Sequence, residues 1–538
     1  MPRRPLLVAL LAAAALPYFI GLGDSSIWDA NEAFYAETPR EMIAAGDYIN
    51  PSFNDLPRFN KPVLSYWVVA GFYKAFGVSV AVERIPIALS ALALMGVAFG
   101  LARAIKSTEA GLWAAIAIAS SPRVLMFARR IFIDMWVTMF MALTLLWFVL
   151  AERSPERRGR YLVLMYASAG LGMLTKGPVA IVLPGLVFLA WLLWQRRLGD
   201  ITRMRPILGA AIVLAIVAPW YVALYAQHGW QHIVGFFWGE NVARYADAVA
   251  PERGLLFYPP VVIGDLFPWS LLLLPAALLK PGQSPVVFLR RLLWLWLIVI
   301  VGFFTLSATK QDLYIFPVTV AVAALAGEVL AGGGTRERWT RWMLALAGTL
   351  LWAGAVIVQR VFGGGGAHDY QLDGVLAIVV IAGTAGLAAT MLALVSRIFA
   401  AALTIAVCMV ALNWVFVLRT LPSFERYKPV VPMSDAIKAR AGRDAAVLHY
   451  NVAMPSMVFY LQRHVDQFYE DPAPLLEKIR ASPEYYLVLG ATDYAALGAE
   501  LPARTCVIER RPLFDMKLKN VLAGKTLPEL VLVTNRCG

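Results

Sequence analysis

Residues 134–160 read DMWVTMFMALTLLWFVLAERSPERRGR. One carboxylate, Asp134, opens the stretch. Met135–Ala151 then runs without a charge, and a helix needs about 17–25 such residues to cross the hydrocarbon of a bilayer. Arg153, Arg157, Arg158 and Arg160 follow at once. Arginines crowd the cytoplasmic ends of spans. The stretch therefore reads as a membrane helix with its arginines inside and Asp134 at its outer mouth.

The rest of the chain repeats the pattern. Of 538 residues, 60% are apolar and 15% charged. Soluble domains average about 45–50% and about 25%. An ordinary soluble enzyme, a disordered chain and a nucleic-acid-binding protein are excluded, although the net charge is +13. Further apolar runs lie at Leu6–Gly23, Ile85–Ala102, Ala110–Ser120, Tyr161–Leu174, Val179–Trp194, Ile207–Tyr225 and Tyr258–Leu279. Others follow at Leu292–Leu306, Leu313–Leu330, Trp342–Val361, Leu376–Val395 and Ala400–Val417. The expectation is a polytopic α-helical membrane protein with about thirteen spans. Leu6–Gly23, preceded by Arg3 and Arg4, reads as a retained anchor. Leu64–Phe76 carries Lys74 and is too short to span, which suits an interfacial helix.

An odd count with the N-terminus in the cytoplasm puts the C-terminus outside. The inner loops are then Arg103–Lys106, Glu152–Arg160, Gln195–Arg205, Lys280–Arg291, Gly332–Arg341 and a turn at Arg397, nearly all short and Arg-rich. The outer loop Gly363–Asp373 has no Lys or Arg. The long loops 24–83 and 227–257 fall outside, where their charges weigh little. Residues 1–421 form the membrane domain on this reading. Residues 422–538 form a periplasmic α/β domain, with strands at Ala446–Tyr450, Tyr485–Leu489, Thr505–Glu509 and Leu530–Thr534. Helices are expected between them at Pro455–Arg463, Pro474–Ile479 and Tyr494–Glu500. Cys506 and Cys537 both fall in this domain, either disulfide-bonded or as free thiols.

Polar residues at a membrane are costly, so their positions inform. They gather on the outer side in five clusters. The first loop carries Asp29, Asn31 and Glu32, then Arg40-Glu41-Met42 and Asn60-Lys61-Pro62. Asp134 is the second. Thr175-Lys176-Gly177-Pro178 is the third, Glu240-Asn241-Val242-Ala243-Arg244 the fourth, and Ser307 with Lys310, Tyr314 and Pro317 the fifth. Singly, each Lys or Arg has the bland explanation of a snorkelling side chain. Together they describe a cationic, carboxylate-lined cavity for a phosphate whose hydrocarbon tail stays in lipid.

In these motifs the chain resembles the lipid-linked-sugar glycosyltransferases of the GT-C type. Its nearest likeness is to those that place 4-amino-4-deoxy-L-arabinose on lipid A, with the protein O-mannosyltransferases as relatives. The resemblance implies a bacterial inner-membrane transferase, acting as a monomer on a polyprenyl-phosphate sugar and a glycolipid acceptor. It implies that Lys61, Lys176, Arg244, Lys310 and Tyr314 hold the donor phosphate. Asp134, Glu32, Asn31 and Asp29 are the candidates for the acceptor's side of the reaction. Asn31 stands where the family has an Asp that serves as base, and Phe34 where it has an Arg. Asn60 and Asn241 stand where the aminoarabinose enzymes carry a Glu and a His that look like metal ligands. Neutral amides are poor ligands for zinc, so no metal and no cofactor are expected. A flippase for the same lipid is the rival from another class, but no inverted repeat of the transporter kind is visible.

Overall fold

The computed structural model describes residues 3–29, 31–246, 253–278, 285–332, 337–363, 370–514 and 526–537. The inner-loop stretches 280–284 and 333–336 and most of the Gly363–Asp373 loop lie outside these residues.

Among the described residues, eight helices are long and apolar enough to cross a membrane: Val80–Ile105, Ile133–Arg153, Pro206–His228, Phe288–Leu306, Asp312–Leu330, Glu337–Phe362, Val375–Leu394 and Ile398–Tyr427. Two bent pairs raise this to ten, Thr108–Ala119 with Pro122–Ala128 at 65° and Leu255–Asp265 with Trp269–Ala277 at 108°. The other three expected spans fall on helices that do not meet the same length and hydropathy criteria, Arg3–Ala15, Arg158–Lys176 and Val179–Trp194. The chain is thus a multi-pass membrane protein, and the count of thirteen is not confirmed. The first break has a local cause. Pro122 cannot donate to the preceding turn, and Ser121 restarts the helix by accepting from the Val124 N–H at 3.3 Å.

Without a hydrophobic drive between helices in lipid, small residues decide where they approach closely. A Cβ on Gly327 would lie 2.3 Å from the Ala110 carbonyl oxygen and 2.9 Å from the Ala114 nitrogen. A Cβ on Gly348 would lie 2.6 Å from the Gly386 carbonyl oxygen. Only glycine permits either crossing.

The first long loop folds on top of this bundle as the helix Asn31–Ala45, a two-stranded hairpin at Ser52–Phe53 and Leu56–Pro57, and the helix Leu64–Phe76. Arg84, 1% exposed, fastens it down. Its guanidinium donates to both Glu32 oxygens at 2.8 and 2.9 Å and to the Leu22 and Ser25 carbonyls at 2.7 and 2.8 Å. A buried ion pair survives when its remaining hydrogen-bonding capacity is met in this way.

The C-terminal part is a five-stranded sheet in the order Asp466–Phe468, Ala446–Tyr450, Tyr485–Gly490, Glu529–Thr534, Cys506–Pro512. The first three strands are parallel and the last two antiparallel to their neighbours. Val447, Tyr486, Val488 and Leu532 pack on one face with Met433 and Met457 from the helices Val430–Lys438 and Ser456–Leu461. Leu448, Leu487 and Val533 pack on the other with Leu475 and Ile479 from Ala473–Ala481. A sheet covered on both faces has unbroken apolar strands, which is why YYLVL at Tyr485–Leu489 does not alternate. Cys506 and Cys537 form a disulfide.

This sheet unit grips the first loop. Asn54 exchanges two hydrogen bonds with the Val465 backbone at 2.8 and 2.9 Å, and the Tyr460 hydroxyl accepts from the Ile27 N–H at 2.8 Å. The loop is held from below by Arg84 and from above by the sheet unit, so the residues after it have a fixed position.

Candidate active site

A cavity of about 560 Å³ opens where six segments meet. Asn31 and Tyr35 come from the first turns of Asn31–Ala45, and Lys61 from the turn before Leu64–Phe76. Asp134 stands in the first turn of Ile133–Arg153, and Lys176 in the last turn of Arg158–Lys176. Glu240, Asn241 and Arg244 project from a π-helical stretch, Gly235–Ala243, and its continuation. Ser307, Gln311 and Tyr314 close the far wall. Helical stretches of this wider kind gather at functional sites, since the extra residue per turn re-aims the side chains.

The charges are paired across the space. Lys176 is ion-paired with Asp134. Lys61 meets Glu240 at 2.8 Å, and Arg244 meets the other oxygen of Glu240 at 3.2 Å. Three cations therefore face two carboxylates, an excess of positive charge suited to an anion. Burial lowers the Lys61 ammonium below the usual lysine range, against the opposing pull of Glu240. The Lys176 ammonium also lies 5.5 Å from the centre of the Tyr314 ring. Below the charges the wall turns apolar, through Val137, Met141, Val179, Val182 and Leu183. These belong to the helices Ile133–Arg153 and Val179–Trp194, and Val182 is 43% exposed. An anion site at the head of an apolar trough is the shape of a lipid phosphate.

Gly177 makes the junction possible. Its φ is +102°, and a Cβ there would lie 2.7 Å from the Phe236 ring. Gly177→Ala is expected to lower stability by about 1–3 kcal/mol and to cost activity by displacing either Lys176 or the π-helical wall. Thermal unfolding and turnover measured together check this; a wild-type midpoint would contradict it.

Of the residues expected from the sequence, Asn31, Asp134, Lys61, Lys176, Arg244 and Tyr314 line the cavity. Three do not. Glu32 has both oxygens on Arg84 and also accepts from the Trp28 N–H at 2.8 Å, so it is a structural counter-ion. Asp29 accepts from the Ser456 backbone and hydroxyl, each at 2.7 Å, and joins the first loop to the sheet unit. The Lys310 ammonium, 9% exposed, turns inward to the Ser307 carbonyl at 2.8 Å and shapes the loop that presents Gln311. Tyr35 was not expected as a site residue, and Glu240, though part of the fourth cluster, was given no role of its own. Glu240 shows in sequence only an i,i+4 pairing with Arg244, and its bridge to Lys61 spans 179 positions.

Glu240 holds Lys61 at the head of the apolar trough. Glu240→Gln is expected to tighten binding of polyprenyl phosphate by up to about fivefold, the worth of a partly exposed ion pair. Titration of the lipid phosphate against the detergent-solubilised protein checks it, and weaker binding would mean Glu240 itself meets the ligand.

The donor set does not fit a metal. Among the described residues no three His, Cys, Asp or Glu side chains are grouped to hold an ion. Glu240, which lines the cavity beside Asn241, is already shared by two cations, and the Asn241 amide donates to the Phe236 carbonyl at 2.9 Å.

Comparison with known proteins bears on the fold. Residues 60–222 match the family model "Dolichyl-phosphate-mannose-protein mannosyltransferase", a segment containing Lys61, Asp134 and Lys176. The crystal structure of ArnT from Cupriavidus metallidurans bound to undecaprenyl phosphate superposes with a TM-score of 0.81, covering 99% of this chain and 98% of that one at 22% identity. The chain has the GT-C fold. The undecaprenyl phosphate-alpha-4-amino-4-deoxy-L-arabinose arabinosyl transferase of Pseudomonas aeruginosa is 34% identical over 343 residues, 61% of this chain and 60% of that protein. Arabinosyl transferase 1 of Pseudomonas fluorescens is 32% identical over 361 residues, 65% of each. The chain thus aligns with about 60–65% of the length of these curated relatives. The resemblance to GT-C glycosyltransferases extends along the whole fold, sheet unit included.

Proposed function

We propose that this chain is a membrane glycosyltransferase that moves a sugar from a polyprenyl-phosphate donor to an acceptor at the outer face, a glycolipid of the lipid A kind. The observation that carries the reading is the cavity itself, three cations and two carboxylates at the head of an apolar trough. The names of the relatives, which act on undecaprenyl phosphate-linked aminoarabinose, support the donor class.

The donor phosphate takes the place of Glu240 beside Lys61 and Arg244, with Lys176 within reach, and the isoprenoid lies against Val179, Val182 and Leu183. The acceptor hydroxyl approaches Asp134. Its oxygen forms the new bond to the anomeric carbon, and Asp134 accepts its proton. The bond between the anomeric carbon and the phosphate oxygen breaks, and the electron pair leaves with polyprenyl phosphate. Lys61, Arg244 and Lys176 stabilise that growing charge in a place poorly screened by water. Asn31, which cannot take a proton, positions the acceptor by hydrogen bonds.

On this reading the N-terminus is cytoplasmic and the cavity and sheet unit are periplasmic, an orientation that the arginine-rich loops support. The test of function is consumption of a polyprenyl-phosphate sugar by purified protein in detergent, with lipid A and with an unfolded peptide as acceptors. A transferase releases polyprenyl phosphate where no membrane barrier exists, and a flippase leaves the donor intact. Product on the peptide instead would assign a protein O-mannosyltransferase-like reaction.

A further inference from the structure

The end of the bundle opposite the cavity carries its own concentration of charge. Asp134 opens the helix Ile133–Arg153 at the cavity, and Arg153 closes it at the other end. There the loops 152–160 and 195–205 hold eight arginines against three carboxylates, Glu152, Glu156 and Asp200. The two loops meet, since Arg197 of the second pairs with Glu152 of the first at 2.9 Å.

Two of the carboxylates are fully engaged. Glu152 also takes Arg158 at 2.8 Å, and Asp200 takes Arg197 at 2.6 Å and Arg203 at 3.2 Å. Arg153 donates to the Ala104 carbonyl. Arg157, Arg160, Arg196 and Arg205 are left, all exposed and, among the described residues, in no ion pair. The exposed Glu156 offsets one of these charges at most. Arg205 reaches across to the first loop: a Cβ on Gly159 would lie 3.6 Å from its Nη1, which puts it beside Arg160. Water satisfies exposed arginines, so the charges alone assign no ligand.

The second observation is apolar. Leu198–Met204 is a 3-10 helix, in which side chains three apart eclipse each other. Asp200 and Arg203 form one row, joined by their ion pair. Leu198, Ile201 and Met204 form another, and Leu198 is 44% and Ile201 38% exposed. Trp194 at the end of the preceding helix is exposed, as is Ile207 at the start of the following span, at 87%. An apolar row flanked by arginines, at the ends of membrane helices, is the pattern of a segment lying flat in the headgroup layer of a bilayer. We infer that residues 195–205 lie in that layer and that Arg160 and Arg205 hold the phosphate of an anionic phospholipid there, with its chains beside Ile201 and Ile207. A guanidinium fork takes phosphate oxygens two at a time. A zwitterionic headgroup brings an ammonium that the surplus arginines repel, so the site selects lipids of net negative charge. The inference stands apart from the reaction proposed above.

The test is native mass spectrometry of the detergent-solubilised full chain, titrated with phosphatidylglycerol, with phosphatidylcholine and with inorganic phosphate. Wild type is expected to retain phosphatidylglycerol about twentyfold more tightly than phosphatidylcholine, at about fivefold for each of the two basic residues beside an anionic lipid. In R160Q/R205Q that preference is lost. R160K/R205K, which keeps the charges without the forks, recovers part of it. R338Q removes an exposed arginine at the start of Glu337–Phe362, away from the apolar row, and stays within about twofold of wild type. Polyprenyl phosphate, as the cavity's probe, is expected to bind all variants within about twofold of wild type, which certifies folding. If the double variant fails that control, R205Q alone carries the test, with an expected loss of about fivefold. Undiminished preference in R160Q/R205Q or in R205Q overturns the inference. So does equal retention of the two phospholipids by wild type, and so does saturation by inorganic phosphate alone, since the arginines would then take the free ion and no lipid.

Discussion

Lys61→Ala is expected to lower turnover by about a hundredfold or more, the loss seen when one preorganised donor to a developing oxyanion is removed. The reasoning is geometric and electrostatic. The Lys61 ammonium is bound to Glu240 at 2.8 Å and to the Asn60 carbonyl at 2.9 Å, at the head of the apolar trough. As the bond to the anomeric carbon breaks, the departing phosphate gains charge, so the interaction strengthens towards the transition state and shows in kcat as well as KM. Lys61→Arg keeps the charge and should fall between. The alkaline limb of the rate profile supplies a second sign. Burial lowers the Lys61 ammonium from the ordinary lysine value, so the cation is lost at a lower pH than a free lysine would lose it. Donor affinity should weaken as pH rises into that lowered range, and the limb should disappear in K61A.

Asp134→Asn is expected to cost about 10²–10⁴ in turnover, the range for loss of a general base. Asp134 and Glu240 are the two carboxylates that line the cavity, and Glu240 is shared by Lys61 and Arg244. The amide keeps the shape, cannot take the acceptor's proton, and leaves Lys176 without its counter-ion. Retention of more than about a tenth of the activity would mean that the acceptor arrives already ionised, as a phosphate does, and that Asp134 only orients Lys176. The companion variant Asn31→Asp places a third carboxylate in the lining and should introduce a new ionisation into the same profile.

The membrane architecture was legible because it is written in composition and length: a run such as Met135–Ala151 followed by four arginines has few alternatives. The sheet strands were legible as short apolar runs. The exception was Asp466–Phe468, a three-residue edge strand too short to carry a period. The helix Val430–Lys438, which covers one face of the sheet, was missed as well. Within the site, sequence identified the cations better than their partners. Lysines and arginines at a membrane declare themselves by their cost, whereas the carboxylate that each one meets depends on tertiary pairing. Glu32 is a candidate base by sequence, and its partner in the structure is Arg84, 52 positions away. Lys310 is a candidate phosphate ligand by sequence, and its ammonium donates to a carbonyl three residues earlier. A side chain's direction at a helix end is set by which backbone groups lack a partner, and that is not readable before the helix end is placed.

The central claim is that the paired charges around Lys61 and Lys176 form a lipid-phosphate site. The most direct test is the affinity of the detergent-solubilised chain for polyprenyl phosphate in Lys61→Ala, Lys176→Ala and Lys74→Ala. Lys74 lies outside the cavity, over the Tyr48 ring at 4.6 Å, and serves as the control. The account predicts a loss of about tenfold or more for the first two, as expected for charge-assisted hydrogen bonds to a phosphate, with Lys74→Ala indistinguishable from wild type. Equal affinity in all three variants, each folded, would contradict it.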